Sequence, residues 1–187
     1  YSFQNLKTDI CFFFNNNHTY KRSLIWVIIP FIPHHAGYHP YQQIVFQYSL
    51  HVLQDKNSEP AHFECLILNG EPSERIAESL AEHIGNKGTV ISWFKTFENQ
   101  RNRELAGFLP RHKDFFLDVV SRTYDLMDIV EGQYYVHPGF EGRASIKKVL
   151  PVLAPHLSYK TLGVQNGTDA IEAYRKITKG ELTGEKI

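Results

Sequence analysis

The sequence predicts an α/β domain built on a mixed β-sheet. Three observations favour this class: an alternating pair of strands, a helix that follows them, and a short apolar run between helices. Apolar and polar residues alternate over 44–53 and again over 62–68, which is typical of half-buried strands. The polar turn at 55–60 joins the two strands. We therefore expect an antiparallel hairpin at this point of the chain.

A helix is predicted directly after the hairpin. It begins at Pro72, because proline fits the first helical turn, and it ends at Gly85. The apolar run 89–94 predicts a short buried strand. Further helices are predicted from about Phe97 to Pro110 and over 114–122, 145–153 and 169–179. The order of hairpin, helix, strand and helices favours a mixed sheet flanked by helices.

Composition excludes several classes of protein. Lysine plus arginine equals aspartate plus glutamate, 20 against 20, which argues against a dominant basic surface but not against a local basic stripe. Cys11 and Cys65 form neither a CxxC pair nor a zinc-binding spacing, so two reduced thiols of a cytoplasmic protein are expected. The longest apolar run, 24–29, is far shorter than the roughly 20 residues of a membrane span.

Residues 1–29 differ in character from the rest of the chain. They show no clear helical or strand period, whereas the pattern becomes regular from Pro30 onward. We interpret 1–29 as an atypical N-terminal segment that replaces the usual first strand of the domain. Residues 30–187 are interpreted as one domain that is incomplete at its C-terminus.

A series of short motifs occurs in one order along the domain. They are PFIP at 30–33, Gly37, PYQQ at 40–43, FQYSLH at 46–51, FE at 97–98, RELA at 103–106, DL at 125–126, YYVHP at 134–138, SIKKVLP at 145–151 and LSY at 157–159. Together they resemble a bacterial family labelled as of unknown function and placed by its motifs in the DEDD group of exonucleases. The resemblance covers about residues 30–180 and implies a ribonuclease-H-like fold, a mixed sheet flanked by helices.

The resemblance also implies a chemistry. Such exonucleases hydrolyse phosphodiesters with two divalent metal ions about 4 Å apart. Magnesium or manganese would be the cofactor of intact relatives, because both prefer the hard oxygens of carboxylates. For this chain itself, the alternative that it binds no metal is left open.

The four acidic ligands of the family are mostly missing. An Asp-x-Glu pair on the first strand would fall on Leu24 and Trp26, and neither side chain ligates magnesium. The third acid corresponds to Glu98, the predicted catalytic and metal-binding residue. Where the family usually has asparagine four residues earlier, this chain has Phe94. The fourth acid would lie beyond Ile187.

Asp125 is predicted as a second catalytic residue, because the family carries its Asp-Leu pair near the cleft. The alternative is a cap for the next segment, and the same alternative is favoured for Asp128. Lys147 and Lys148 are predicted to contact phosphate, with a solvated charged face as the alternative. Tyr135 and His137, with Tyr134, are predicted to stack on bases or contact phosphate, with core packing of the tyrosines as the alternative.

Other polar residues are given structural interpretations. Arg101 and Arg103 are expected on a solvated helix face, and Gln43 and Gln47 in structural hydrogen bonds. The histidine-rich loop 34–39 and Asp169 are weak candidates for a metal or catalytic role.

The resemblance stops abruptly upstream of Pro30, and one hypothesis for this is a frameshift. Translation of the upstream DNA in the other two forward frames tests it. If neither frame contains an Asp-x-Glu pair, the hypothesis is wrong.

The sequence thus predicts a fragment or degenerate copy of a metal-dependent 3'-5' exonuclease domain acting on DNA or RNA, inactive as it stands. The alternative is a non-catalytic nucleic-acid-binding or protein-interaction domain of a larger protein. A third option is a purely structural domain of a multidomain nuclease. The expected partners are nucleic-acid ends and further domains of the parent protein, and no membrane.

Overall fold

One five-stranded mixed sheet organises the domain. The computed structural model describes residues 22–28, 43–55, 58–68, 70–155, 172, 174–177 and 181. The strands are β1 (Arg22–Ile28), β2 (Gln47–Leu53), β3 (Ala61–Leu66), β4 (Thr89–Ser92) and β5 (Thr123–Asp125). Their order across the sheet is β3-β2-β1-β4-β5. The predicted α/β class with a mixed sheet is therefore confirmed.

The sheet combines an antiparallel and a parallel half. The predicted hairpin is present as β2 and β3, which pair antiparallel with Leu50 opposite Phe63. β1 pairs antiparallel with β2 and parallel with β4, and β4 pairs parallel with β5. The parallel strands therefore finish at one end of the sheet, at Ile28, Ser92 and Asp125. We call this end the carboxyl edge.

The central strand β1 lies in the segment where the sequence showed no clear period. Residues 22–28 are paired on both sides, with Ile25 opposite Leu50 and Leu24 opposite Ile91. Strands in the middle of a sheet read as continuous apolar runs rather than alternating ones. The run 24–29 matches this description, and it was too short to distinguish a strand from a helical segment.

Five helices with both ends in the described part of the chain accompany the sheet. They are α1 (Ser73–Ile84), α2 (Lys95–Phe108), α3 (Lys113–Ser121), α4 (Met127–Glu131) and α5 (Ile146–Leu153), with 3-10 turns at Pro110–His112 and Pro138–Phe140. Residues 172 and 174–177 are also helical, and Tyr174 contacts Phe46 with ring centroids 4.2 Å apart. The remainder of the predicted helix 169–179 lies outside the described residues. Neither α4 nor β5 was predicted, because three to five residues are too few to show a period.

Within the described ranges, no helix is both long enough and apolar enough to cross a bilayer. The longest, α2, has 14 residues, against the roughly 20 that a span requires.

The core lies between one face of the sheet and helices α1, α2 and α3. Because strand residues alternate between faces, Tyr48, Leu50 and Val52 all point to this side, where they are at most 1% exposed. Ile76 of α1 and Phe116 of α3 pack in the same cluster, and both are fully buried. Burial of each such side chain contributes about 1.5–3 kcal/mol. This core fixes α1 and α3 on one face of the sheet.

The other face of β2 is buried as well, although the sequence indicated a polar face. Ser49 and His51 are 5% and 1% exposed. His51 stacks on His62 of β3 with ring centroids 4.4 Å apart, and Ser49 Oγ lies 2.9 Å from His62 Nε2. Polar groups are tolerated inside a domain when they are hydrogen-bonded in this way.

Arg122 joins the loop after α1 to the start of β5. Its guanidinium donates hydrogen bonds to the backbone carbonyls of Gly85, Lys87 and Gly88 at 2.5–2.9 Å and to the Asp118 carboxylate at 2.7 Å. Three carbonyls at a chain turn are thus satisfied by one side chain. Because Arg122 directly precedes β5, these hydrogen bonds hold the turn before β4 next to the start of β5. This position favours the parallel pairing of the two strands.

We expect Arg122→Lys to lower the free energy of unfolding by about 2–3 kcal/mol, measured by urea denaturation. Lysine cannot reach three carbonyls at once, and hydrogen bonds to charged groups contribute about 1.5–3 kcal/mol each. Arg103→Lys, on the exposed face of α2, is the control and should change the value by less than about 0.5 kcal/mol. Equal effects of the two substitutions would show that the Arg122 hydrogen bonds do not stabilise the fold.

Candidate functional site

The predicted catalytic residues Glu98 and Asp125 lie on elements that meet at the carboxyl edge. The chain leaves β4 at Ser92, turns through Trp93 and Phe94, and enters α2, which carries Glu98 in its first turn. Asp125 ends β5 and is the register partner of Ser92. The carboxyl edge of parallel strands is where open α/β sheets bind ligands. It is therefore the natural place to examine for a site.

Asp125 is a buried cap. It is 2% exposed, and its Oδ1 accepts hydrogen bonds from the backbone N–H groups of Phe94 (2.8 Å) and Met127 (3.0 Å), while Oδ2 accepts from Lys95 (2.7 Å). These amides belong to the first turns of α2 and α4, which have no intrahelical acceptors. The negative charge also interacts favourably with the N-terminal ends of the helix dipoles. The geometry supports the capping alternative, extended to two helices.

Glu98 is partly buried, and its Oε2 is shielded from solvent. The helix that carries it is anchored at its start by Asp125, so the position of Glu98 depends on that cap. The catalytic role predicted for Glu98 stays a prediction.

Arg101 corrects one expectation of the sequence. It was placed on a solvated face, but it is only 5% exposed. Its Nη1 donates to Gln43 Oε1 at 2.5 Å and its Nη2 to Glu104 Oε1 at 2.7 Å, and its guanidinium lies 5.7 Å from the Phe97 ring centroid. The arginine thereby ties α2 to the segment before β2, which also satisfies the structural hydrogen bond predicted for Gln43. Arg103 is exposed, as expected.

Among the residues that the structure describes, the donor set at the carboxyl edge does not fit a pair of divalent metal ions. Magnesium needs several oxygen ligands in near-octahedral geometry. Positions 24 and 26 of β1 are leucine and tryptophan, and a carboxylate has only about four lone-pair sites, of which the Asp125 carboxylate already uses three. Of the predicted ligands, Glu98 alone remains, and one carboxylate rarely holds magnesium. No hydrolytic step through metal ions follows from these residues.

Lys95 and Asp128 form an ion pair beside this edge. The Lys95 Nζ lies 2.8 Å from Asp128 Oδ2, and the two side chains are 39% and 52% exposed. This hydrogen bond is the main cause of a raised pKa at Lys95. Asp128 is therefore bound to a cation, and the first turn of α4 is capped by Asp125 instead.

The predicted nucleic-acid-binding residues lie on one folded segment. We call Tyr134, Tyr135, His137, Lys147 and Lys148 the aromatic–basic surface. Tyr134 is 85% exposed and Tyr135 is 45% exposed, so core packing is wrong for Tyr134. His137 and Lys147 are exposed as well. These residues are available to a ligand in the way that the prediction requires.

Phe140 is the buried residue against which two members of the aromatic–basic surface, Tyr135 and His137, pack. It is 3% exposed, and the rings of Tyr135 and His137 lie 5.9 and 5.7 Å from its centroid. Lys148 Nζ contacts Glu141 Oε2 at 2.6 Å, a hydrogen bond that lowers the pKa of the Glu141 carboxyl. Lys147 is exposed, whereas Lys148 is only partly exposed.

Trp93 connects the aromatic–basic surface to the carboxyl edge. Its Nε1 donates a hydrogen bond to the Ala144 carbonyl at 3.0 Å, across 51 residues of sequence. The surface therefore lies next to the turn that carries β4 into α2.

Sequence reasoning missed one group with metal-ligand chemistry. Glu74 and Glu78 on α1 and His112 in the 3-10 turn after α2 offer ligand atoms within 4.8 Å of one another. Glu74 is already paired with His112 at 3.2 Å and with Arg111 at 3.4 Å. The glutamates at i and i+4 were visible in the sequence, but the histidine comes from another element.

The histidine-rich loop 34–39 and Asp169, which were weak candidates for a metal or catalytic role, lie outside the described residues.

The comparisons with known proteins define a family. Residues 28–145, well over half of the chain, match a domain of unknown function, DUF2779, and the chain belongs to this family. It is 28% identical over 149 residues to the uncharacterized protein UU173 of Ureaplasma parvum serovar 3. That match covers 68% of this chain and 21% of the relative, so the chain spans about a fifth of the relative's length. No solved structure matches the chain.

We expect Asp125→Ala to lower the free energy of unfolding, measured by urea denaturation, by about 3 kcal/mol or more. The substitution leaves three backbone N–H groups without their acceptor, and each buried unsatisfied donor costs about 1–3 kcal/mol. Asp128→Ala is the matched control, because its half-exposed ion pair contributes about 0–1 kcal/mol. A carboxylate kept for ligand binding at the expense of stability would give the opposite result, a neutral or stabilising Asp125→Ala.

Proposed function

We propose that this chain is a degenerate ribonuclease-H-like domain of the exonuclease type that binds single-stranded nucleic acid and does not hydrolyse it. The observation that carries the proposal is the exposed aromatic–basic surface beside the carboxyl edge. At this edge the expected Asp-x-Glu pair is replaced by Leu24 and Trp26, and the Asp125 carboxylate accepts backbone hydrogen bonds. Binding residues are accessible, whereas the ligands for catalytic metals are not assembled.

The arrangement of the sheet supports the proposed ancestry. An antiparallel unit of three strands continues into a parallel unit through a shared central strand, in the order β3-β2-β1-β4-β5. Helices α1, α2 and α3 cover one face through the core cluster. A mixed sheet flanked by helices is what the resemblance to ribonuclease-H-like exonucleases implies, and this arrangement supports the proposal.

The absence of hydrolysis is proposed from the chemistry of the donors. The central strand β1 carries leucine and tryptophan at positions 24 and 26, which are the register partners of His51 and Ser49. Neither residue type supplies a carboxylate. Asp125 stabilises helix ends with its oxygens. Glu98 without further carboxylates is insufficient to activate water through two metal ions.

Binding would combine stacking and charge. An exposed tyrosine such as Tyr134 offers a π-face to any base, and such stacking contributes about 1–3 kcal/mol per base. Lys147 and Arg143 are exposed cations on the same segment and suit phosphate contacts. Because the whole chain carries no net charge, we expect affinity of moderate strength that depends on few phosphates.

A protein-interaction domain is the second candidate. It is favoured by Val136, an aliphatic side chain that is 72% exposed between the tyrosines and the histidine. Valine neither stacks on bases nor bonds to phosphate, whereas it is suited to an apolar protein contact.

Fluorescence anisotropy with labelled single-stranded DNA and RNA tests the binding. We expect Tyr134→Ala to weaken affinity roughly 5- to 150-fold, the equivalent of one lost stacked base. Lys147→Ala should reduce the slope of log K against log salt by about 0.7, one phosphate contact to a single strand. Lys113→Ala, an exposed lysine on α3, is the control and should change neither value. No binding at low salt would leave the protein-interaction candidate.

An assay of end-labelled single strands with manganese tests the absence of hydrolysis. We expect no nucleotide release from the wild-type chain or from Glu98→Ala, since no metal centre is assembled. Release by the wild-type chain that Glu98→Ala abolishes would show that Glu98 is catalytic and that the domain is an active nuclease.

A further inference from the structure

Phe94 adopts a backbone conformation that phenylalanine avoids. At the N-cap of α2 it has φ 73° and ψ 60°, in the left-handed region where the β-carbon of an ordinary residue is crowded. Glycine and asparagine enter this region at lower cost. A bulky residue in this position is a genuine outlier, and such outliers cluster at functional sites.

Packing does not compensate for the strain at Phe94. Its side chain is 47% exposed, so only part of its hydrophobic surface is removed from water. The conformation is instead imposed by hydrogen bonds to its backbone. Asp125 accepts from the N–H groups of Phe94 and Lys95, and the Phe94 carbonyl accepts from Phe97 at 3.1 Å. The aromatic ring is thus held at the surface by a buried carboxylate.

A second exposed aromatic ring lies at the same edge. Tyr124 precedes Asp125 on β5 and is 49% exposed. Lys95 follows Phe94, and its hydrogen bond to the Asp128 carboxylate raises the pKa of its ammonium group. Phe94 and Tyr124 are thus two exposed aromatic rings on the elements that meet at the carboxyl edge, and Lys95 next to Phe94 is partly exposed as well.

We propose that Phe94 forms a stacking site for an unpaired nucleobase. The proposal rests on the proposed function and names a second contact region for the same single strand. The surroundings favour a base over an apolar protein side chain, because Phe94 is followed by the polar Lys95 and Thr96, and Lys95 is paired with Asp128. Aromatic faces set singly among polar groups suit stacked bases, which carry polar edges around an apolar face.

The test is Phe94→Asn, a substitution that should stabilise the fold while weakening binding. Asparagine tolerates the left-handed conformation, so the urea midpoint should rise. Affinity for a labelled single-stranded oligonucleotide should fall roughly 5- to 150-fold, the effect of one lost stacking contact. Phe94→Tyr keeps a π-face and should keep the wild-type affinity. Leu117→Asn removes another exposed apolar residue, on α3, and should leave binding unchanged.

An oligonucleotide of the same length without bases separates stacking from phosphate contacts. We expect wild type and Phe94→Asn to bind this backbone equally, because the difference between them requires a base. Equal affinity of the two proteins for the normal oligonucleotide would overturn the stacking site and leave the proposed function standing. An equal loss on both oligonucleotides would also overturn it, since bases would then be irrelevant. If the wild type binds neither, the proposed function itself fails.

Discussion

The carboxylate of Asp125 is the contact on which the candidate site depends. It is buried at the end of β5 and accepts three backbone hydrogen bonds from the starts of α2 and α4. These bonds satisfy amides that have no partners inside their helices. The strand, both helix starts and the turn at Phe94 are thereby fixed relative to one another. The orientation of the helix that carries Glu98 follows from this cap.

The same contact decides between two roles for an acidic residue. A carboxylate that completes a metal site must keep lone pairs free, whereas a cap uses them for N–H groups. At Asp125 the cap prevails, and it also stabilises a strained conformation at Phe94. The carboxyl edge of this domain therefore presents aromatic rings and lysines to solvent, with its acid turned inward. This distribution is the basis of our proposal that the domain binds a nucleic-acid strand and does not hydrolyse it.

Individual residues show why part of the site was predictable. Tyr134, His137 and Lys147 lie close in sequence and belong to two motifs of the resemblance, so they could be assigned to one segment, although core packing of the tyrosines was the alternative. Arg101 could not be placed in this way. It is buried because it reaches Gln43, 58 residues earlier in the chain, and helical position gave no sign of that partner. The same holds for Trp93, which bonds to the carbonyl of Ala144.

The sequence by itself determined the hairpin, α1 and the mixed α/β class, because alternation, helical period and turn residues act over a few neighbouring positions. Only the tertiary structure placed β1 at the centre of the sheet, added the short strand β5 and engaged Asp125 as a cap for α2. These features arise from hydrogen bonds between segments that are about 20 to 30 residues apart in the sequence. No local pattern encodes such pairings, since they become favourable only when the core has brought the segments together.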